Sequence, residues 1–136
     1  MKKIIIDTNA YAAFMTGDER ILDALAEAET TFLSAIVIGE LHAGFRGGTR
    51  WSDNKAQLTR FQQKTTVRIL DVTVETAELF GQIKHSLKKA GTPIPLNDVW
   101  LASQAIESGS IIVTYDAHFA KVPGIRLWDH LTDKTR

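Results

Sequence analysis

The sequence predicts an α/β fold in three layers, with a mostly parallel central sheet flanked by helices. Three observations carry that prediction. Short β-branched runs at residues 2–6, 30–33, 67–72, 111–114 and 125–127 alternate with stretches of helical periodicity, the pattern of βαβ units. The runs are largely apolar, as in strands buried on both faces. Acids close two of them: Asp7 follows Ile4-Ile5-Ile6, and Asp116 comes soon after Ile111-Ile112-Val113.

The elements follow in order. Residues 2–6 are the first strand, ended by polar residues. Thr16-Gly17-Asp18-Glu19 offers a helix start with acids in the first turn, and Ile21, Leu22, Leu25, Ala26 and Ala28 supply the helical spacing. After the strand at 30–33, Ser34 is suited to cap a helix that runs to about Arg46 and stops at Gly47-Gly48. Ser52 is read as the cap of the next helix, through Lys64. The strand at 67–72 leads into a helix over 75–89, ended by Gly91, where Lys88 and Lys89 oppose the negative end of the helix dipole. Pro93-Ile94-Pro95-Leu96 is an extended, stiffened connector. Asn97 is read as the cap of a helix over 98–108, and two strands close the chain. Crossovers between parallel strands should be right-handed. Ligands of such sheets bind beyond the carboxyl ends of the strands.

The 136 residues suit a single domain, 1–136, large enough to bury a core without disulfides or structural metal. Cysteine is absent, which excludes disulfides and thiolate zinc sites and fits a reducing compartment. The apolar run after Lys2-Lys3 lasts three residues before Asp7, too short for a secretory core or a membrane span. A cytoplasmic protein without a membrane role is expected. Net charge is zero, so the total does not announce a polyanion binder. The distribution is less even: residues 46–68 hold Arg46, Arg50, Lys55, Arg60, Lys64 and Arg68 against the single acid Asp53. Such a patch either meets RNA, with Arg46, Arg50, Arg60 and Lys64 as contacts, or is a solvated helical face.

Four carboxylates stand where acids are costly. Asp7 and Asp116 sit at strand ends that share one rim if the strands are parallel neighbours. Glu40 lies three or four residues from Ile36 and Val37 and is expected on the apolar stripe of its helix. Asp98 opens a helix whose buried positions are Leu101, Ala102, Ala105 and Ile106. Each has an ordinary alternative: a turn or capping Asp, an edge Glu reaching water, an Asp favoured by the helix dipole. Together they would repel one another unless cations sat among them. Oxygen-only donors suit the hard ions Mg2+ or Mn2+. Such an ion activates water near neutral pH and neutralises charge developing on phosphorus, the requirements of phosphodiester hydrolysis.

At these residues the sequence resembles the PIN-domain family, and within it the VapC-like toxins of bacterial toxin–antitoxin pairs. The matching segments are Ile6-Asp7-Thr8-Asn9-Ala10, Ile38-Gly39-Glu40-Leu41, Pro95-Leu96-Asn97-Asp98-Val99-Trp100-Leu101-Ala102 and Val113-Thr114-Tyr115-Asp116-Ala117-His118-Phe119. The resemblance covers nearly the whole chain, to the closing strand before Trp128. It implies a PIN-like fold, an endoribonuclease dependent on Mg2+ or Mn2+, an RNA substrate such as tRNA or rRNA, a homodimer, and a VapB-like antitoxin partner that neutralises it. It assigns Asp7, Glu40, Asp98 and Asp116 to the acidic constellation, with Asn9 and Thr114 as polar groups that orient it. Tyr115 departs from the basic or small polar residue expected between Thr and Asp.

Other signals are set lower. His42, His85, His118 and His130 are widely spaced and read as surface or structural groups, although His118 is close enough to Asp116 to meet a phosphate. Trp100 and Trp128 read as core or interface anchors. Rival functions are a housekeeping nuclease of this fold acting on ribosomal RNA or structured DNA, a binding module with a dead site, and a phosphatase. The last usually needs a second Asp where this chain has Asn9.

Overall fold

In the computed structural model, which describes residues 2–130, five strands form one sheet: β1 (Lys3–Ile6), β2 (Thr30–Ser34), β3 (Val67–Leu70), β4 (Ile111–Val113) and β5 (Arg126–Leu127). Their order is β3-β2-β1-β4-β5, and every pairing is parallel. The helices are α1 (Thr8–Met15), α2 (Glu19–Glu27), α3 (Ala35–Arg46), α4 (Trp51–Gln62), α5 (Val74–Ala90) and α6 (Leu96–Ser108), with a 3-10 turn at Ala117–Lys121.

Side chains of successive strand residues point to opposite faces. Ile4, Ile5 and Ile6 on the central strand are all fully buried, so both faces of the sheet are covered by helices, as the apolar runs predict. β3, β4 and β5 are shorter than their apolar patterns, β3 because it runs out of partner. β3 pairs only with β2, and the last rung joins Leu70 to Ser34; Asp71 and Val72 lie beyond it and leave the sheet.

The helix termini follow local chemistry. Ser34 accepts from the Ile36 amide at 3.0 Å and starts α3. Asp18 accepts from the Ile21 amide at 3.1 Å and starts α2. Thr73 and Thr76 form a reciprocal capping box at α5, and Thr76 reaches Glu107 of α6 at 2.7 Å. Gly91 ends α5 with φ of 71°, a left-handed turn that glycine adopts without strain.

Three starts depart from the sequence reading. Helix α1 has no counterpart in it. Thr8 to Met15 lacks a clear apolar period, and what starts the helix is Asp7, which accepts from the Ala10 amide at 2.8 Å. Helix α4 begins at Trp51, so Ser52 is not its cap. Arg50 precedes it without a side-chain cap, and Arg46 at the end of α3 and Lys55 one turn on lie 5.0 and 5.2 Å from the Trp51 ring. Helix α6 begins at Leu96, so Asn97 is not its cap. The extended Pro95 supplies the carbonyl that accepts from Asp98 and Val99, and Asp98 thus rides in the first turn.

Trp128 is buried and its indole N–H donates to the Thr114 carbonyl. Trp100 stacks on Phe80, ring centres 3.9 Å apart, joining α5 to α6. Both act as the packing anchors the sequence suggests. Among the described residues no helix is long and apolar enough to cross a membrane.

Candidate acidic site at the strand ends

The chain runs from β1 outward through β2 and β3, then returns to place β4 on the other side of β1. The direction of winding reverses between β1 and β4, where open parallel sheets leave a crevice beyond the carboxyl ends of the strands. Ile6 pairs with Val113. One residue further along each strand brings Asp7 beside Thr114, at that crevice.

A cavity of about 130 Å³ opens there, lined by Asp7, Thr8, Asn9, Val37, Glu40, Asn97, Asp98, Leu101 and Asp116. All four carboxylates singled out from the sequence therefore face one space, delivered by β1, α3, the first turn of α6 and the turn after β4.

They differ in environment. Asp7 is buried, with one oxygen accepting from the Ala10 amide and the other from the Thr114 hydroxyl. Burial pushes its carboxyl up to about 6, and the charges of Asp98 and Asp116 add to the rise against the two hydrogen bonds. Asp98, half-buried, is also raised, first by burial and then by Asp116 and Glu40, while His118 opposes the rise. Asp116 caps the 3-10 turn by accepting from the His118 amide at 2.9 Å, and its own amide donates to Thr114 Oγ1 at 2.9 Å.

Glu40 corrects the sequence reading. It is exposed rather than buried on the apolar stripe of α3. Val37 and Leu41 carry the buried face, and Glu40 is turned off it to the cavity mouth, where the Thr8 hydroxyl donates to Oε1 at 2.7 Å. The carboxylate thus escapes the cost of burial without leaving the site.

Of the two supporting residues, Thr114 is fully buried and bridges Asp7 to the Asp116 backbone. Asn9 is exposed and lines the cavity; among the described residues its side chain has no hydrogen bond to any of the four acids. Tyr115 points elsewhere: its hydroxyl donates to the Asp18 carboxylate at 2.9 Å, tying the turn after β4 to the start of α2.

Two contributors were not legible as such. Thr8 orients Glu40. His118, set aside above as a surface or structural group, places Nδ1 3.0 Å from Asp116 Oδ1 and 3.4 Å from Asp98 Oδ2. The signal was local: in Asp116-Ala117-His118 the capping Asp draws the amide two residues on toward its own carboxylate. Asp98, Asp116 and His118 offer ligand atoms all within 4.8 Å of one another, close enough to share a cation. Asp7 and Glu40 complete the wall around them.

The basic stretch divides in two. Arg46 and Lys55 gather on the half-exposed Trp51, with Arg50 paired to Asp53 at 3.7 Å nearby. Lys64 instead lines a hollow with Phe14, Leu22 and Phe61 between α2 and α4, and Arg60 lowers the pKa of Tyr11, which burial raises more strongly. None of Arg46, Arg50, Arg60 and Lys64 lines the acidic cavity.

Comparison with known proteins shows the family and the fold. Residues 4–125 match the profile of the PIN domain. The chain is 30% identical over 131 residues to ribonuclease VapC2 of Haemophilus influenzae, covering 93% of this chain and 96% of that protein. It is 27% identical to the tRNA(fMet)-specific endonuclease VapC of Salmonella typhimurium, covering 95% and 98%. Among solved structures it resembles the DNA-bound VapBC complex of Salmonella typhimurium, with a TM-score of 0.81, 28% identity, and 94% and 98% of the two chains covered. The VapBC2 complex of Rickettsia felis bound to a promoter fragment shares the fold, with a TM-score of 0.82 at 23% identity over 93% and 97% of the chains.

Proposed function

The chain belongs to the PIN-domain family, and from that premise we propose that it is the endoribonuclease toxin of a VapBC-type toxin–antitoxin pair, hydrolysing RNA with a divalent cation held among Asp7, Glu40, Asp98 and Asp116. The observation that carries the reading is the convergence of all four acids on one cavity beyond the β1 and β4 strand ends. The full-length similarity to VapC ribonucleases supports the substrate class.

The donor set fits Mg2+ or Mn2+. It is rich in carboxylate oxygen and has no sulfur, and the acids sit close enough for Asp98 and Asp116 to act on Asp7, and Asp116 and Glu40 on Asp98, a mutual repulsion that a cation would relieve. When bound, the ion supplies an activated water and charge neutralisation at the reacting phosphate. The chain's own residues do the rest. Thr114 fixes Asp7 in one orientation and, through the Asp116 amide, ties β4's turn to it. Thr8 holds Glu40 at the mouth, where an entering phosphate would pass. Val37 and Leu101 form apolar wall, which lowers the local dielectric and strengthens every charge interaction inside.

The partner is a VapB-like antitoxin. A cationic side chain from it, set against these acids, would satisfy the same negative charge that the metal does. The test is expression of the chain without its partner, followed by sequencing of RNA ends. New ends at a few defined sites, absent with the Asp98→Asn variant, are expected. An RNA population indistinguishable from that of cells making Asp98→Asn would refute the reading.

A further inference from the structure

Among the described residues His118 is the one imidazole grouped with the acids of this site, and its placement exceeds what a hydrogen bond to Asp116 needs. Its backbone is already tied to Asp116 through the amide at 2.9 Å. It sits in the 3-10 turn Ala117–Lys121, anchored by the fully buried Phe119. The ring is therefore presented by a fixed element. A neutral imidazole has one N–H to give, yet Nδ1 faces two carboxylates on different elements, at 3.0 and 3.4 Å. Neighbouring donors on an octahedral ion with bonds of about 2.1 Å stand about 3.0 Å apart. The distances from Nδ1 to the two oxygens, 3.0 and 3.4 Å, are near that. Among the described residues Nε2 has no hydrogen-bond partner, and the side chain is 44% exposed; with the ring proton on that outer nitrogen, Nδ1 has a lone pair to give to an ion.

We propose that His118 Nδ1 is itself a ligand of the cation bound by Asp98 and Asp116, so that the centre is a mixed oxygen–nitrogen site that selects Mn2+ over Mg2+. This rests on the metal-dependent reading above and deepens it. Imidazole nitrogen is a softer donor than carboxylate or water, and binding strengthens toward the transition metals when it replaces an oxygen. An all-oxygen site would distinguish the two ions mainly by size and geometry. With His118 in the set, the nitrogen itself contributes the preference.

The test uses the whole chain and needs no RNA. Mn2+ is titrated into wild type, and the bound ion is studied by pulsed electron paramagnetic resonance for coupling to nitrogen. Wild type should show the strong coupling of a directly bonded imidazole, changed in the expected way by 15N-histidine. In His118→Gln the coupling should vanish, Mn2+ affinity should fall at least about tenfold, and Mg2+ affinity should change less. Bound Mn2+ with no direct nitrogen coupling in wild type would overturn the inference and leave the oxygen-ligated reading intact. No binding of Mn2+ to wild type would overturn both. Because the wild-type spectrum decides, the inference stays falsifiable even if His118→Gln folds poorly.

Discussion

Asp7 and Thr114 meet across the seam between β1 and β4, and the Thr114 hydroxyl donates to the Asp7 carboxylate. Both are buried, and the same Thr114 oxygen accepts from the Asp116 amide. One hydroxyl thus couples an acid at the end of the first strand to an acid far along the chain. Parallel register makes this possible: equal steps along two neighbouring strands end at one rim.

Removing that hydroxyl should be costly. Thr114→Val keeps the shape but leaves the buried Asp7 carboxylate and the part-buried Asp116 amide each short of a partner, at about 1–3 kcal/mol for the buried group. Urea melts should show that loss, and RNA cleavage should fall with it. Thr114→Ser should restore most of both. A Val variant as stable as wild type would mean the hydroxyl is not the link between the strands.

Asp7 should give the metal-free protein a characteristic pH dependence. Its carboxyl is pushed up to about 6 from an ordinary 3.8, first by burial. The folded state then holds the proton more tightly than the unfolded one. The stability this lends is complete below the unfolded value and is lost as pH rises through about 6. In chelator, wild type should lose on the order of 2–3 kcal/mol relative to Asp7→Asn across that window. A difference between the two proteins that is flat with pH would contradict a desolvated Asp7.

RNA affinity should draw on the basic stretch outside the cavity. Arg50, Arg60 and Lys64 are exposed, and reversing all three to Glu should weaken RNA binding and flatten its salt dependence by about two units of logarithmic slope. Binding is best followed in an inactive Asp116→Asn background. An unchanged slope would place the RNA path on another face and leave this stretch as solvated surface.

An antitoxin that sets Arg or Lys against the four acids should compete with the ion. Mn2+ titrated into the purified pair should bind more weakly than to the free chain. Equal affinity in the two would show that neutralisation works away from the cavity.

Much of this was legible in the sequence because its causes are local or periodic. The Ile4-Ile5-Ile6 run, the Ser34 cap and Gly91 act within a few residues, and the structure places each as expected. Asp7 and Asp116 were legible as site residues because they end buried strands. Glu40 was placed in the right cavity for the wrong reason: the apolar spacing of α3 put it on the core face, but its partner is Thr8, on a helix the sequence did not reveal. Helix α1 was hidden because Thr8 to Met15 lacks a clear apolar period; Asp7 both caps it and faces the cavity. His118 was missed because spacing along the chain says nothing of Asp98, which reaches it from α6.

The central claim, that these acids hold the ion that enables RNA cleavage, is tested most directly with purified chain and a defined RNA. Cleavage is measured in Mn2+, in Mg2+ and in chelator for wild type, Glu40→Gln and Asp98→Asn. Wild type should cut only with a divalent ion, and each variant should remain folded while cutting at least ~100-fold more slowly. Cleavage by wild type that persists in chelator, or wild-type rates in both folded variants, would contradict the account.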